Sequence, residues 1–384
     1  MPLSRGLLAL LALASFLGAA TIHYQTPMLG AFAVEFAADA SAVGWVATLT
    51  FGGFLAGFVL LVPLGDRMEK RRLILWQLGA LIAALLFEAA APNLVALAAG
   101  GFAIGLCACF SQSIVPLVAE LARPADRGKT LGTLLTALFL GILFGRVAGG
   151  QVATHLGWRW MYVLAAVAFV PLMPVLAARL PRGAPQMSLS YGALMASMLE
   201  LARTEAVVRR VTGVQVLLGV CYGGFWATVA PMVQAQHGLG PAAAGLLGIP
   251  GAAGILVARS AGRWMDRSGP GPVVTTGIAT IIAAWLVFAL GVWWFAALVA
   301  GAILLDCGLR SVMVPNQTVM NSISSKARSR SNTIFGFSVW GGNALGAFLA
   351  STALAHAGWL GVCAIALLAA SSALAVQLRL KRPA

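Results

Sequence analysis

The sequence predicts an all-α membrane protein, with twelve transmembrane helices in two pseudo-symmetric six-helix bundles, and three observations carry that prediction. Of the 384 residues, 60% are hydrophobic and only 9% charged, and mean hydropathy is +0.92. Apolar runs near the length that crosses a hydrocarbon core, roughly 20 residues, recur about twelve times between charges and Pro/Gly/Asn clusters. Landmarks of the first six runs return about 200 residues later. Such runs are too long for barrel strands, and in lipid every backbone group must be satisfied internally, so the spans are helices.

The predicted spans are 7–28, 43–64, 73–91, 94–118, 131–153, 159–178, 211–235, 242–259, 272–291, 295–317, 332–354 and 358–378. The first resembles a cleavable signal peptide in its basic start, apolar centre and small-residue end. Removing it would leave eleven spans and break the repeat, so it is read as a retained helix; His23, Tyr24 and Gln25 sit in its outer third, as a polar cargo contact or as a capped helix end. Between spans two and three, Asp66–Arg72 packs six charges into seven residues. Glu88 lies in the outer third of span three, where facing external water would explain it. Span five carries Gly132, Gly141, Gly145, Gly149 and Gly150 with Arg146 among them; small residues at such spacing also serve close helix packing alone. Between the halves, Met195, Met198, Leu199 and Leu201 among polar and basic residues predict an amphipathic helix on the membrane surface. Span ten places Asp306 and Arg310 four residues apart, hence on one helical face near the midplane. Charges within a membrane are costly unless paired or wetted, so Asp306, Arg310, Arg146, Glu88 and His23 are candidate cargo or proton sites.

Starting the chain in the cytoplasm places 22 of the 25 Lys and Arg on one side, with only Arg146, Arg159 and Arg310 elsewhere. The positive-inside rule then puts both termini in the cytoplasm. The net charge of +14 is thereby distributed over loops and calls for no nucleic-acid partner. Asp66 and Asp266 are 200 residues apart; Arg127 and Arg328, Trp158 and Trp359, and Gly44 and Gly245 are each 201 apart. The predicted organisation is therefore 1–180, a linker at 181–208, and 209–384, with both halves starting on the same side. Parallel repeats of this kind enclose a central site and rock about it.

These features resemble the major facilitator superfamily over essentially the whole chain. Leu64, Gly65, Asp66, Arg67, Lys70 and Arg71 match the family's loop signature, with Val62 and Glu69 where glycine is usual; Gly262, Asp266, Arg267 and Gly269 form a second, partial copy. The fifth-span glycines resemble the antiporter signature of the drug:proton branch, with Arg146 replacing proline. Tyr24–Pro27, LGWRW and PNQ resemble bacterial efflux permeases of the arabinose and multidrug exporter type. The resemblance implies that Asp66 meets the N-terminal end of a helix in the other half, span eleven, while neighbouring basics pair with Glu120. Such a latch would favour the outward-facing state. It further implies packing of span five on span eight, along Gly245, Gly248, Gly251 and Gly254.

The five cysteines fall in spans and indicate neither disulfides nor a metal site. No GxxxxGK[ST] sequence is present, so a gradient rather than ATP is the expected energy source. The expected protein is not an enzyme and uses no cofactor. It is a transporter of the bacterial inner membrane, acting as a monomer, whose partners are a small-molecule cargo, protons and lipid. Export by proton antiport is the leading expectation, with proton-coupled or facilitated uptake as the alternative within transport, and a non-transporting sensor or scaffold as the alternative outside it.

Overall fold

The computed structural model describes residues 3–123, 126–182, 191–251, 253–323 and 328–379. It is helical throughout the described residues, and ten of its segments are long and apolar enough to cross a membrane. One of them, within Arg328–Arg379, is two helices joined at Gly358, where φ is 64°. The eighth predicted span is present as Pro241–Leu246, Gly248–Gly251 and Ala253–Ser268. The described interruption is at Leu247, one turn before Pro250, which cannot donate to the helical ladder and crowds the preceding turn; position 252 lies outside the described residues. Twelve spans result, so both ends of the described chain lie on one face, the near face; the opposite one is the far face.

The first span departs from a simple helix. Arg5–Thr21 is α-helical, Thr26–Met28 is a 3₁₀ turn, and Leu29–Glu35 resumes the helix. Thr21 Oγ1 donates to Leu17 O at 2.7 Å, Thr26 Oγ1 donates to His23 O at 2.9 Å, and His23 Nδ1 lies 2.9 Å from Ala19 O. Pro27 adds a missing donor. Side chains that bond nearby carbonyls compete with helical continuity, so His23, Tyr24 and Gln25 stand at a break within the span rather than at its capped end.

Two buried apolar clusters, one drawn almost wholly from the first six spans and one from the last six, form the two bundles. The repeat is visible in backbone angles. Ala37 (φ 46°) and Gly238 (φ 64°) end spans one and seven, and Gly157 (φ 93°) and Gly358 (φ 64°) precede spans six and twelve; each pair is 201 residues apart. Trp158, following the first glycine of the second pair, donates to Glu35, which also accepts from Arg159; Trp359 donates to Phe288 O at 2.7 Å.

At the far face the bundles meet closely at glycines. Gly44 lies against Ser351, and Gly245 against Gly150 and the carbonyl of Arg146. The two contacts are related by the same 201-residue offset. The far face is thus closed, whereas the central cavity is lined toward the near face by Val62, Leu131, Gln317 and Asn332 and opens there. The linker helix Tyr191–Thr204 packs Met198, Leu201 and Ala202 on Val208, Val211, Met320, Ile334 and Phe335 at the near-face end of the second half. Its apolar stripe is therefore spent partly on protein, with Leu199 left exposed.

Candidate functional site

The cavity encloses about 670 Å³ between the halves. Spans one, two, four and five supply one wall, and spans seven, ten and eleven the other. His23 lines it, buried, with its ring near Phe51 and Trp340. Trp340 in turn packs on Phe54 with ring centroids 4.3 Å apart. Gln25 points elsewhere: Thr50 Oγ1 lies 3.0 Å from Gln25 Oε1, while Gln25 Nε2 has no partner. Tyr24 is buried, and its carbonyl packs against Gly149.

Arg146 and Arg310 each reach from their own half to the other. Arg146 Nη2 donates to Tyr222 Oη at 2.7 Å, and its guanidinium stacks 3.5 Å from the Trp226 ring centroid. Arg310 places its guanidinium 4.3 Å from the centroid of Phe139 on span five, with Met313 Sδ 4.0 Å from Nη1. Cation–π contacts of this kind are worth about 0.5–1 kcal/mol when exposed and ~2 when desolvated. Neither Nε has a hydrogen-bond partner.

Asp306 is 3% exposed and its Oδ2 has no partner. Among the described residues it forms no ion pair with Arg310, despite their shared helical face. The field at Asp306 comes from Arg310 first and Arg146 second. A Cβ on Gly251 would stand 2.6 Å from Oδ2, so the glycine of span eight makes room for the carboxylate. Asp306, Arg310 and Arg146 therefore converge on one region next to the inner end of the cavity, and of the three Arg310 lines it.

Glu88 does not join them. It is 1% exposed, so external water does not explain it. Its polar neighbour is the Tyr162 hydroxyl, within the first bundle, and Gly100 packs against it.

The fifth-span glycines are divided in their work. Gly141, Gly145 and Gly149 face the carbonyls of Phe16, Ala20 and Tyr24 on span one, Gly150 faces span eight, and Gly132 meets open space. Of the four span-eight glycines, Gly245 and Gly248 pack on span five, where Pro241 and Ala242 also meet Gly150 and Thr154, whereas Gly251 and Gly254 face span ten at Asp306 and Arg310.

In the charged loop, Lys70 pairs with Glu120, and Arg71 Nε donates to Ala177 O at 3.1 Å. Both bonds stay within the first half. Gly65 is buried and Arg67 exposed; the side chain of Asp66 lies outside the described residues, as do those of Arg127 and Arg328. In the second copy Asp266 and Arg267 are exposed, and Gly262 has no neighbour in the place of a Cβ.

Tyr222, Trp226 and Phe139 are not singled out by the sequence. The available signal is CYGGFW, where two large aromatics stand four apart on one face of a span, with glycines between.

A cavity closed at one face, enclosed by two repeated six-helix bundles and carrying membrane-embedded charge, is the arrangement of a membrane transporter. A match to the Major Facilitator Superfamily covers residues 9–290, and the chain belongs to that superfamily. It is 33% identical over 366 residues to the uncharacterized transporter YgaY of Escherichia coli O157:H7, covering 94% of this chain and 92% of the relative. It is 22% identical to the multidrug resistance protein B homolog of Mycobacterium tuberculosis strain H37Rv, covering 85% and 71%. In fold it is similar to a mutant of the nucleoside transporter NupG, with TM-score 0.77, 14% identity and coverage of 96% and 99%. The chain is a multi-pass membrane transporter.

Proposed function

We propose that this transporter exports a small organic molecule across the bacterial inner membrane in exchange for protons, by alternating access, with Asp306 as the proton-binding group. The observation that carries the reading is the buried Asp306 carboxylate, its Oδ2 unpartnered, beside two guanidiniums next to the inner end of the cavity. A carboxylate so placed must be neutralised by a proton or by a cation to be stable in low dielectric. Movement of the halves changes which of these is at hand, since Arg146 and Arg310 are held by residues of opposite bundles.

The positive-inside rule assigns the near face to the cytoplasm, so a cavity open there receives cargo from the cell interior. The fifth-span glycine pattern and the distant multidrug-resistance relative support export. The Asp66–Arg71 loop acts in this reading as a latch on the near face: Lys70–Glu120 and Arg71–Ala177 hold the loop to the first half, ready for Asp66 to meet span eleven when that face closes. Halves 1–180 and 209–384 then move as units about the 181–208 linker, of which 183–190 lie outside the described residues.

A second reading, uptake together with protons, is favoured by one observation. Guanidiniums outnumber the carboxylate next to the inner end of the cavity, so protonation of Asp306 would leave Arg310 freer for an anionic cargo, and proton and cargo would bind together.

Proton movement in proteoliposomes loaded with a pH dye tests both. Cargo-triggered flux of protons opposite to cargo, abolished by Asp306→Asn, is expected. Flux in the same direction as cargo selects the second reading, and flux unchanged by the substitution removes Asp306 from coupling. A C-terminal alkaline phosphatase fusion checks topology, and phosphatase activity in cells would place that terminus outside.

A further inference from the structure

We propose that the cargo is an organic anion, a carboxylate-bearing molecule with an aromatic or apolar body, whose carboxylate binds Arg310. The inference rests on the cavity being the cargo path and deepens that reading; it is independent of the direction of transport.

Its ground is the charge composition of the cavity wall. The described residues that line it include no Asp or Glu, and Arg310 is the one fixed charge among them. A cationic cargo would leave water to meet a wall with no counter-charge on it, at the large desolvation penalty of an unpaired ion. The Asp306 carboxylate does not supply one, because its Oδ2 is turned toward Gly251 on span eight and is absent from the lining.

Arg310 itself is poorly satisfied by the protein. Its contacts among the described residues are the face of Phe139 and the thioether of Met313, its Nε has no partner, and Asp306 acts on it through its field without a hydrogen bond. A guanidinium presents a planar fork of donors matched to a carboxylate, and neither an aromatic ring nor a sulfur uses that fork. Arg146 differs: Tyr222 and Trp226 already engage it. Arg310 is therefore the cation left for cargo.

The remaining wall fits the rest of such a molecule. Phe54, Phe58, Phe335 and Trp340 offer an aromatic surface, and Gln112 and Gln215 offer hydrogen bonds for orientation. A volume of about 670 Å³ suits one small organic molecule. The approach is biased in the same sense, since the near-face segments carry 22 basic residues against 7 acidic ones, a potential that attracts anions.

The test uses the purified full chain and three probes of one shape, 3-phenylpropanoate, 3-phenylpropanol and 3-phenylpropylamine, with binding read by calorimetry and by thermal stabilisation. The carboxylate is expected to bind at least about tenfold tighter than the other two, the loss that one charge-assisted hydrogen-bonded contact represents. That advantage should vanish in Arg310→Met and return in Arg310→Lys, with Arg310→Gln replacing Arg310→Met should the latter not fold. Equal or tighter binding of the amine or alcohol, an advantage that survives loss of the guanidinium, or binding of none of the three overturns the proposal. Counterflow in proteoliposomes separates it from the transport reading. Carboxylate that binds through Arg310 but is never carried refutes the cavity as a path and leaves the anion site standing; amine carried at a rate indifferent to Arg310 does the reverse.

Discussion

Tyr222 holds a position that only its hydroxyl explains, because its ring face is shared with neighbours while its Oη accepts from Arg146 at 2.7 Å. Tyr222→Phe should lower thermal stability in detergent by about 1.5–3 kcal/mol, the usual worth of a hydrogen bond to a charged group. An unchanged melting transition would mean that Trp226 alone satisfies the guanidinium. Ala37 is the converse case, a side chain placed where none is favoured. At φ 46° its Cβ crowds the following carbonyl, whereas its counterpart 201 residues later is glycine. Ala37→Gly should raise stability by about 1 kcal/mol by removing left-handed strain, less the entropy that glycine adds to the unfolded chain. A drop in stability on this substitution would show that Ala37 makes a contact outweighing its strain.

Helix ends and helix faces set the next scale. Span two begins at Asp39, whose carboxylate accepts from Ala42 N at 2.8 Å and from Ser41 Oγ at 2.8 Å. Those bonds, the Ala42 backbone N–H first, hold the Asp39 carboxyl below its ordinary value of 3.8. Its contribution is therefore full above about pH 4 and is lost as pH falls through the lowered value, since the protonated acid is the weaker acceptor. Asp39→Ala should cost about 1 kcal/mol at neutral pH and flatten the acid limb of a stability–pH curve; a limb of unchanged slope would assign that acid sensitivity elsewhere. Span five depends on Gly145 meeting the Ala20 carbonyl, so Gly145→Leu should destabilise by about 1–3 kcal/mol through overpacking, measured by thermal unfolding. Span number and repeat are legible in the sequence because length and hydropathy report directly on burial in lipid. The break in span one is not, since Thr21, His23 and Thr26 act through bonds to carbonyls three or four residues back, which leave no periodic trace. Partner choice is equally hidden: the i, i+4 spacing puts Asp306 and Arg310 on one face, yet Arg310 turns to Phe139 of the other half. Glu88 reads from sequence as facing water because depth alone cannot say which way a helix faces.

At the level of the whole chain, closure of the far face rests on glycine. A leucine at position 245 would run into the Arg146 carbonyl and Gly150, so Gly245→Leu should hold the far face apart. In a background without the five native cysteines, spin labels at Leu156→Cys and Leu239→Cys, exposed positions near the far-face ends of spans five and eight, should report a longer separation with Gly245→Leu than with Gly245 intact. An unaltered distance distribution would rule out this contact as the closing element. The pairing of Gly44–Ser351 with Gly245–Gly150 also carries a historical meaning. One ancestral segment, duplicated and fused, accounts for contacts, turns and tryptophans that recur at a single offset. The ionisable side chains within the membrane do not recur: 201 residues from Arg146, Asp306, Arg310, His23 and Glu88 stand Ala347, Gly105, Cys109, Gly224 and Ala289. The packing frame is inherited in duplicate, and the buried charges were written afterwards into one copy at a time.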